Sequence, residues 1–80
     1  MLNKVSDLNQ TFKSPSGNVV EWKSPGGWLY RYERNRGAVG MARGPDAFDR
    51  PGDFEWYVLS PNTLTAAKRR VFDLINEDEF

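Results

Sequence analysis

KSPSGNVVEW (residues 13–22) is followed directly by KSPGGWLYRY (residues 23–32), and the repeated Lys-Ser-Pro opening decides the fold. In Ser14-Pro15-Ser16-Gly17, proline presets φ at the second turn position and glycine tolerates positive φ at the fourth. That order suits a type I turn closed by a glycine bulge, a common hairpin connection. Ser24-Pro25-Gly26-Gly27 places Pro and Gly at the two central positions, which predicts a type II turn. Asn35-Arg36-Gly37 is a third expected turn. Turns recurring about every ten residues, with β-favouring residues between them, spell an antiparallel meander. The echo is therefore punctuation of a sheet and not a repeated functional motif.

Strand faces follow from alternation, because successive side chains point to opposite sides of a sheet. Val20 and Trp22 share one side, as do Trp28, Tyr30 and Tyr32, then Val39 and Met41, then Phe54, Trp56 and Val58. One face is strongly aromatic and the other mixed and charged, as expected when one face is solvated. A short strand around Thr11 to Lys13 leads the meander. After Pro61 the period changes. Thr63 is placed to cap a helix, and Leu64, Ala67, Val71, Leu74 and Ile75 fall on one helical stripe. Arg69 and Asp73 stand four apart on its outer side. The expected fold is α+β: an antiparallel β-meander of four to five strands with one C-terminal α-helix packed on its aromatic face. Trp22 and Trp56 are both expected between sheet and helix.

Length and composition bound what this fold does. Eighty residues allow one domain, 1–80, with a thin core over about 11–76; residues 1–9 and 77–80 are expected to be flexible. There is no cysteine, so no disulfide staples the chain, which fits a reducing compartment. Three Trp, three Tyr and five Phe supply the burial instead, since each ring buries roughly 150–250 Å². No apolar run suits a signal peptide or a membrane span, so a soluble cytoplasmic protein without a membrane partner is expected. Net charge is zero but uneven. Residues 1–43 carry seven Lys/Arg against three acids, and residues 44–80 carry four against eight.

The absence of both His and Cys removes Ser–His and Cys–His nucleophilic systems and histidine metal sites. No glycine-rich phosphate loop precedes a helix; Gly37-x-x-Gly40 lacks that context. Asp46, Asp49, Asp53 and Glu55 do not follow the alternating pattern of a calcium loop. Neither an enzyme nor a cofactor is expected.

Two binding readings remain. RGPDAFDRPGDF, residues 43–54, is long for a hairpin connection, and long loops in compact domains are often functional. Phe48 sits in it between Asp46 and Asp49, with Asp53 beyond. An aromatic anchor in a charged rim is what protein interfaces use; the competing expectation is that Phe48 folds back over the end of the core. The alternative reading is nucleic-acid binding. Arg31, Arg34, Arg36 and Arg43 lie near Trp28, Tyr30 and Tyr32, and arginines interleaved with stacking rings are the equipment of single-strand binders. Zero net charge and the core's need for those rings weigh against it.

WLYRYERNRGAVG (28–40), followed after a loop by WYVLSPNTLTAAKRRV (56–71), resembles a type of small phage and prophage protein. In that type a short aromatic meander runs into a helix begun by Thr-Leu-x-x-Ala-Lys. The similarity covers roughly residues 18–75, and the 43–54 loop is longer than the type usually has. The resemblance implies a non-catalytic, host-directed role: an accessory protein that binds and modulates a host protein or complex, as anti-CRISPR proteins do. It carries over no site residues.

Overall fold

The computed structural model describes residues 2–43 and 54–78. Its rhythm is set by three glycines ten residues apart. Gly17, Gly27 and Gly37 have φ of 76°, 86° and 66°, a region that costs glycine nothing and other residues strain. Each closes a turn by donating its N–H three residues back, to Ser14, Ser24 and Arg34 carbonyls at 2.9, 3.0 and 3.1 Å. The second turn differs from the sequence expectation. Its positive φ falls on Gly27 and not on Gly26, so it is no type II turn but a copy of the first. A type II turn would splay the two strands, whereas a bulge glycine after a type I turn follows their twist. The serines of the echo also act alike. Ser14 Oγ accepts the Val19 N–H at 3.1 Å and Ser24 Oγ accepts the Trp28 N–H at 2.9 Å.

Five strands result: β1 (Asn9–Lys13), β2 (Val19–Lys23), β3 (Trp28–Glu33), β4 (Ala38–Arg43) and β5 (Glu55–Val58). They form one antiparallel sheet in chain order, followed by a helix, α1 (Leu64–Asp78). The architecture is α+β, a five-stranded meander with the helix against one face. Two cross-strand rows build that inner face. Val20, Tyr32, Val39 and Tyr57 lie side by side, and so do Trp22, Tyr30 and Met41. Ala67, Val71, Leu74 and Ile75 of α1 pack on them, with Leu59 beneath, and all four helix residues are buried. Trp22 is 1 % exposed. Tyr32 donates its hydroxyl to Asn62 Oδ1 at 2.9 Å, so its buried end is satisfied.

Thr63 caps α1 as its position predicts, accepting the Ala66 N–H at 3.1 Å through Oγ1. Arg69 and Asp73 pair at 3.4 Å on the helix exterior. Packing also reaches the start of the described chain. Leu2 and Leu8 rest on the core, Asn76 Oδ1 accepts the Leu2 N–H at 2.9 Å, and Asn76 Nδ2 donates to the Leu2 carbonyl at 3.2 Å.

One core assignment is corrected. Trp56 does not lie between sheet and helix. The register pairs Val39 with Tyr57 and Gly40 with Trp56, so Tyr57 shares the inner face with Val39. Trp56 joins Leu29, Ala42 and Phe54 in a second cluster on the outer face. Tyr57 alternates with Glu55, so alternation favours Trp56 and Val58 for the core; Glu55 is exposed at the start of the strand and does not hold Tyr57 outward.

Candidate protein interface

The outer face of the sheet is built from alternate residues that the helix does not cover. A single row crosses all five strands: Phe12, Glu21, Arg31, Gly40 and Trp56. Its centre is ionic. Arg31 Nε lies 3.0 Å from Glu21 Oε2 and 3.7 Å from Glu33 Oε2. The Nε–H is not aimed at either carboxylate with hydrogen-bond geometry, so the contact is an ion pair. Burial pushes the Glu21 carboxyl above its ordinary 4.5; Arg31 opposes that rise and Glu33 adds to it.

The β5 end of the row is aromatic, and Gly40 makes it so. A Cβ on Gly40 would stand 2.5 Å from Phe54 Cδ2 and 2.9 Å from Trp56 Cζ3. The missing side chain is the seat on which both rings rest, the kind of close approach a strand glycine often marks. Phe54 and Trp56 stack with centroids 5.5 Å apart. Arg36 lies over the Trp56 ring, its Cζ 4.0 Å from the centroid, with its Nε 3.4 Å from Glu33 Oε1. Two large apolar side chains stand exposed at the ends of this face, Phe12 in the row and Val58 beside it. Phe12 is 46 % exposed and Val58 85 % exposed. Among the described residues no element covers this face.

β5 is also the edge of the sheet. Leu59 N–H donates to the Gly37 carbonyl at 2.8 Å. Antiparallel residues alternate between bonded and non-bonded pairs, so Leu59 and Tyr57 turn their backbone groups toward β4. Trp56 and Val58 turn theirs outward. Among the described residues no strand lies beyond β5. Between this edge and α1 runs an open trough of about 650 Å³. Tyr57, Val58 and Leu59 form one wall, and Ala66, Arg69, Arg70 and Asp73 form the other. The Arg70 guanidinium lies over the Tyr57 ring, 5.0 Å from its centroid.

The residues singled out from sequence are placed unevenly. Asp46, Phe48, Asp49 and Asp53 lie outside the described residues. Arg43 ends β4, and its side chain is likewise outside them. Arg31 and Arg36 lie on the outer face and are engaged by Glu21 and Glu33. Arg34 sits exposed in the β3–β4 turn, where its carbonyl accepts Asn62 Nδ2 at 3.0 Å. Tyr30 and Tyr32 are buried beneath α1 and Trp28 is partly buried against the same core. Base stacking on the two tyrosines would require opening that core. Sequence reasoning missed the Gly40–Phe54–Trp56 seat and the bare β5 edge; Gly40, alone in the middle of a strand, was the available signal.

No protein-family model, curated protein or solved structure matches this chain. Among the described residues no helix is long and apolar enough to cross a membrane, and no three carboxylates gather as a metal site would need.

Proposed function

We propose that this chain is a non-catalytic protein-binding module whose outer sheet face is the contact surface. The observation that carries the reading is the pair of exposed large apolar side chains, Phe12 and Val58, on the sheet face that α1 does not pack against. That face sets Phe12, Val58 and the half-buried Trp56 around a Glu21–Arg31–Glu33 ionic centre. Aromatic residues and arginine are enriched in protein interfaces, and here the aromatic and apolar side chains stand around the charged centre. A partner would bury these anchors while the opposite, helix-covered face holds the module rigid. The resemblance to small phage proteins supports a finer reading, in which the partner is a host protein or complex that the module modulates.

The test is capture from a bacterial lysate by the wild-type chain and by Phe12→Glu, at two salt concentrations and with nuclease treatment. The reading expects a protein retained by the wild type, insensitive to nuclease and lost with Phe12→Glu. Retention that vanishes with nuclease and falls steeply with salt would instead place the chain among nucleic-acid binders. Equal retention by both proteins would remove the outer face from the contact.

A further inference from the structure

We propose that the β5 edge and the trough beside it take an extended, acidic segment of the partner as a sixth strand. The proposal rests on the protein-binding reading above and names the chemistry of what is bound. Three observations on different atoms converge on it.

The first is backbone supply. The N–H and C=O groups of Trp56 and Val58 point away from β4, as the parity set by the Leu59–Gly37 bond requires. A strand edge of this kind binds extended peptides through main-chain hydrogen bonds. The second is the contrast between the two edges. β1 carries the usual protections: a register shift between Gln10 and Phe12, Lys13 at its end, and mostly polar residues. β5 reads Glu-Trp-Tyr-Val, with no bulge, no proline and no lysine. Among the described residues one edge is guarded against strand addition and the other is not.

The third is charge. A residue added opposite Tyr57 turns its side chain to the inner side, toward Tyr57 and the Arg70 above it. Arg70 has no carboxylate partner among the described residues, only the Tyr57 ring 5.0 Å from its Cζ. Arg69, its neighbour in the trough wall, shares Asp73 at 3.4 Å and is largely exposed. The trough thus offers an arginine, half-buried and already oriented by a ring, to an incoming acid. Residues of the added strand on either side of that acid turn to the outer face, beside Val58 and Trp56, and are best apolar. The occupant is a segment with the pattern apolar–acidic–apolar. A second copy of this chain fits less well, because pairing β5 with itself would bring the Arg69 and Arg70 pairs of both copies into one trough.

The experiment selects a displayed library of random 12-residue peptides on the full chain. The strongest enriched peptide is then synthesised and titrated against the wild type, Val58→Ala, Val58→Pro and Arg70→Glu. Val58→Pro removes an N–H that the ladder to β4 does not use, and edge positions of this kind tolerate proline; its melting temperature is measured alongside. Enrichment of acidic, alternating sequences is expected, with slowed amide exchange at Trp56 and Val58 on binding. Val58→Pro should bind at least tenfold more weakly than Val58→Ala, which loses the side chain but keeps the N–H, while staying folded, and selection on Arg70→Glu should switch to basic peptides. Absence of any acidic enrichment, protection confined to other amides, or a folded Val58→Pro that binds as well as Val58→Ala would overturn the proposal. A lysate partner lost with Phe12→Glu but held by Val58→Pro and Arg70→Glu would reject the sixth strand and leave the binding module standing.

Discussion

Placing a methyl group on Gly40 tests how the outer face is built. The Cβ of Gly40→Ala would meet Phe54 Cδ2 at 2.5 Å, Trp56 Cζ3 at 2.9 Å and Trp56 Cε3 at 3.0 Å. Real Cβ atoms do not approach rings that closely, so the rings must move. They are poorly free to do so: each stacks on the other, and Arg36 lies across Trp56. Overpacking of this kind costs roughly 1–3 kcal/mol. Against it stands the lower chain entropy of alanine in the unfolded state, about 0.5–1 kcal/mol in its favour. The backbone adds no strain, because the glycines with positive φ are Gly17, Gly27 and Gly37. The net expectation is a loss of about 1–2 kcal/mol, a melting-temperature fall of roughly 5–15 °C for a domain this small. Thermal melts of the wild type, Gly40→Ala, Trp56→Leu and Gly40→Ala/Trp56→Leu read it out. Added to Trp56→Leu, the alanine should cost less than it does in the wild type, because the smaller side chain vacates part of the seat. A Gly40→Ala protein as stable as the wild type would show that the rings do not rest on Gly40.

Three further outcomes follow from the same geometry. Trp22→Ala should cost roughly 3–5 kcal/mol in urea unfolding and Trp56→Ala clearly less, since Trp22 is enclosed under α1 and Trp56 is half-buried; equal losses would return Trp56 to the inner core. Because the Glu21 carboxyl is held above 4.5 in the fold, its contribution to stability is fully present below that pH and lost as pH rises through the raised value. Glu21→Gln should therefore show a flatter stability curve than the wild type just above pH 4.5, and an unchanged or reversed difference in urea midpoints contradicts the burial of that carboxyl. In the unliganded chain, amide hydrogen exchange along β5 should alternate, fast at Trp56 and Val58 and slow at Tyr57 and Leu59; uniform protection would mean that something already covers the edge.

The fold was legible where local chemistry and period agreed. Gly17, Gly27 and Gly37 marked three turns, Thr63 marked the helix start, and the alternation of β2 and β3 named the inner ring set. Two readings failed for identifiable reasons. Gly26 and Gly27 both tolerate positive φ, and strand twist, which a four-residue window does not contain, selected Gly27. Around β5, Phe54, Trp56 and Val58 compete with Tyr57 and Leu59 for the core, and Glu55, in step with the latter pair, tips alternation toward the wrong set. Pairing with β4 decided the parity, placing Tyr57 beside Val39 and Trp56 on Gly40. The outer face was harder still, because its row joins Phe12, Glu21, Arg31, Gly40 and Trp56 from five separate strands. The meander's rhythm of nine to ten residues relates the first four, but the register that aligns them, and the addition of Trp56 beyond the long 43–54 connection, do not follow from spacing. The aromatic ladder at Trp28, Tyr30 and Tyr32, which suggested stacking on nucleic acid, belongs to the core under α1.

The central claim is that the outer sheet face is a protein-binding surface, and its sharpest test is the affinity of a captured partner for the wild type and for Phe12→Glu/Val58→Glu. Both side chains are exposed and spare to the core, so surface substitutions there should leave the melting temperature within a few degrees. The account predicts a loss of at least about 30-fold in Kd, the 2 kcal/mol that defines an interface hot spot. An unchanged Kd with an unchanged melting temperature would contradict it.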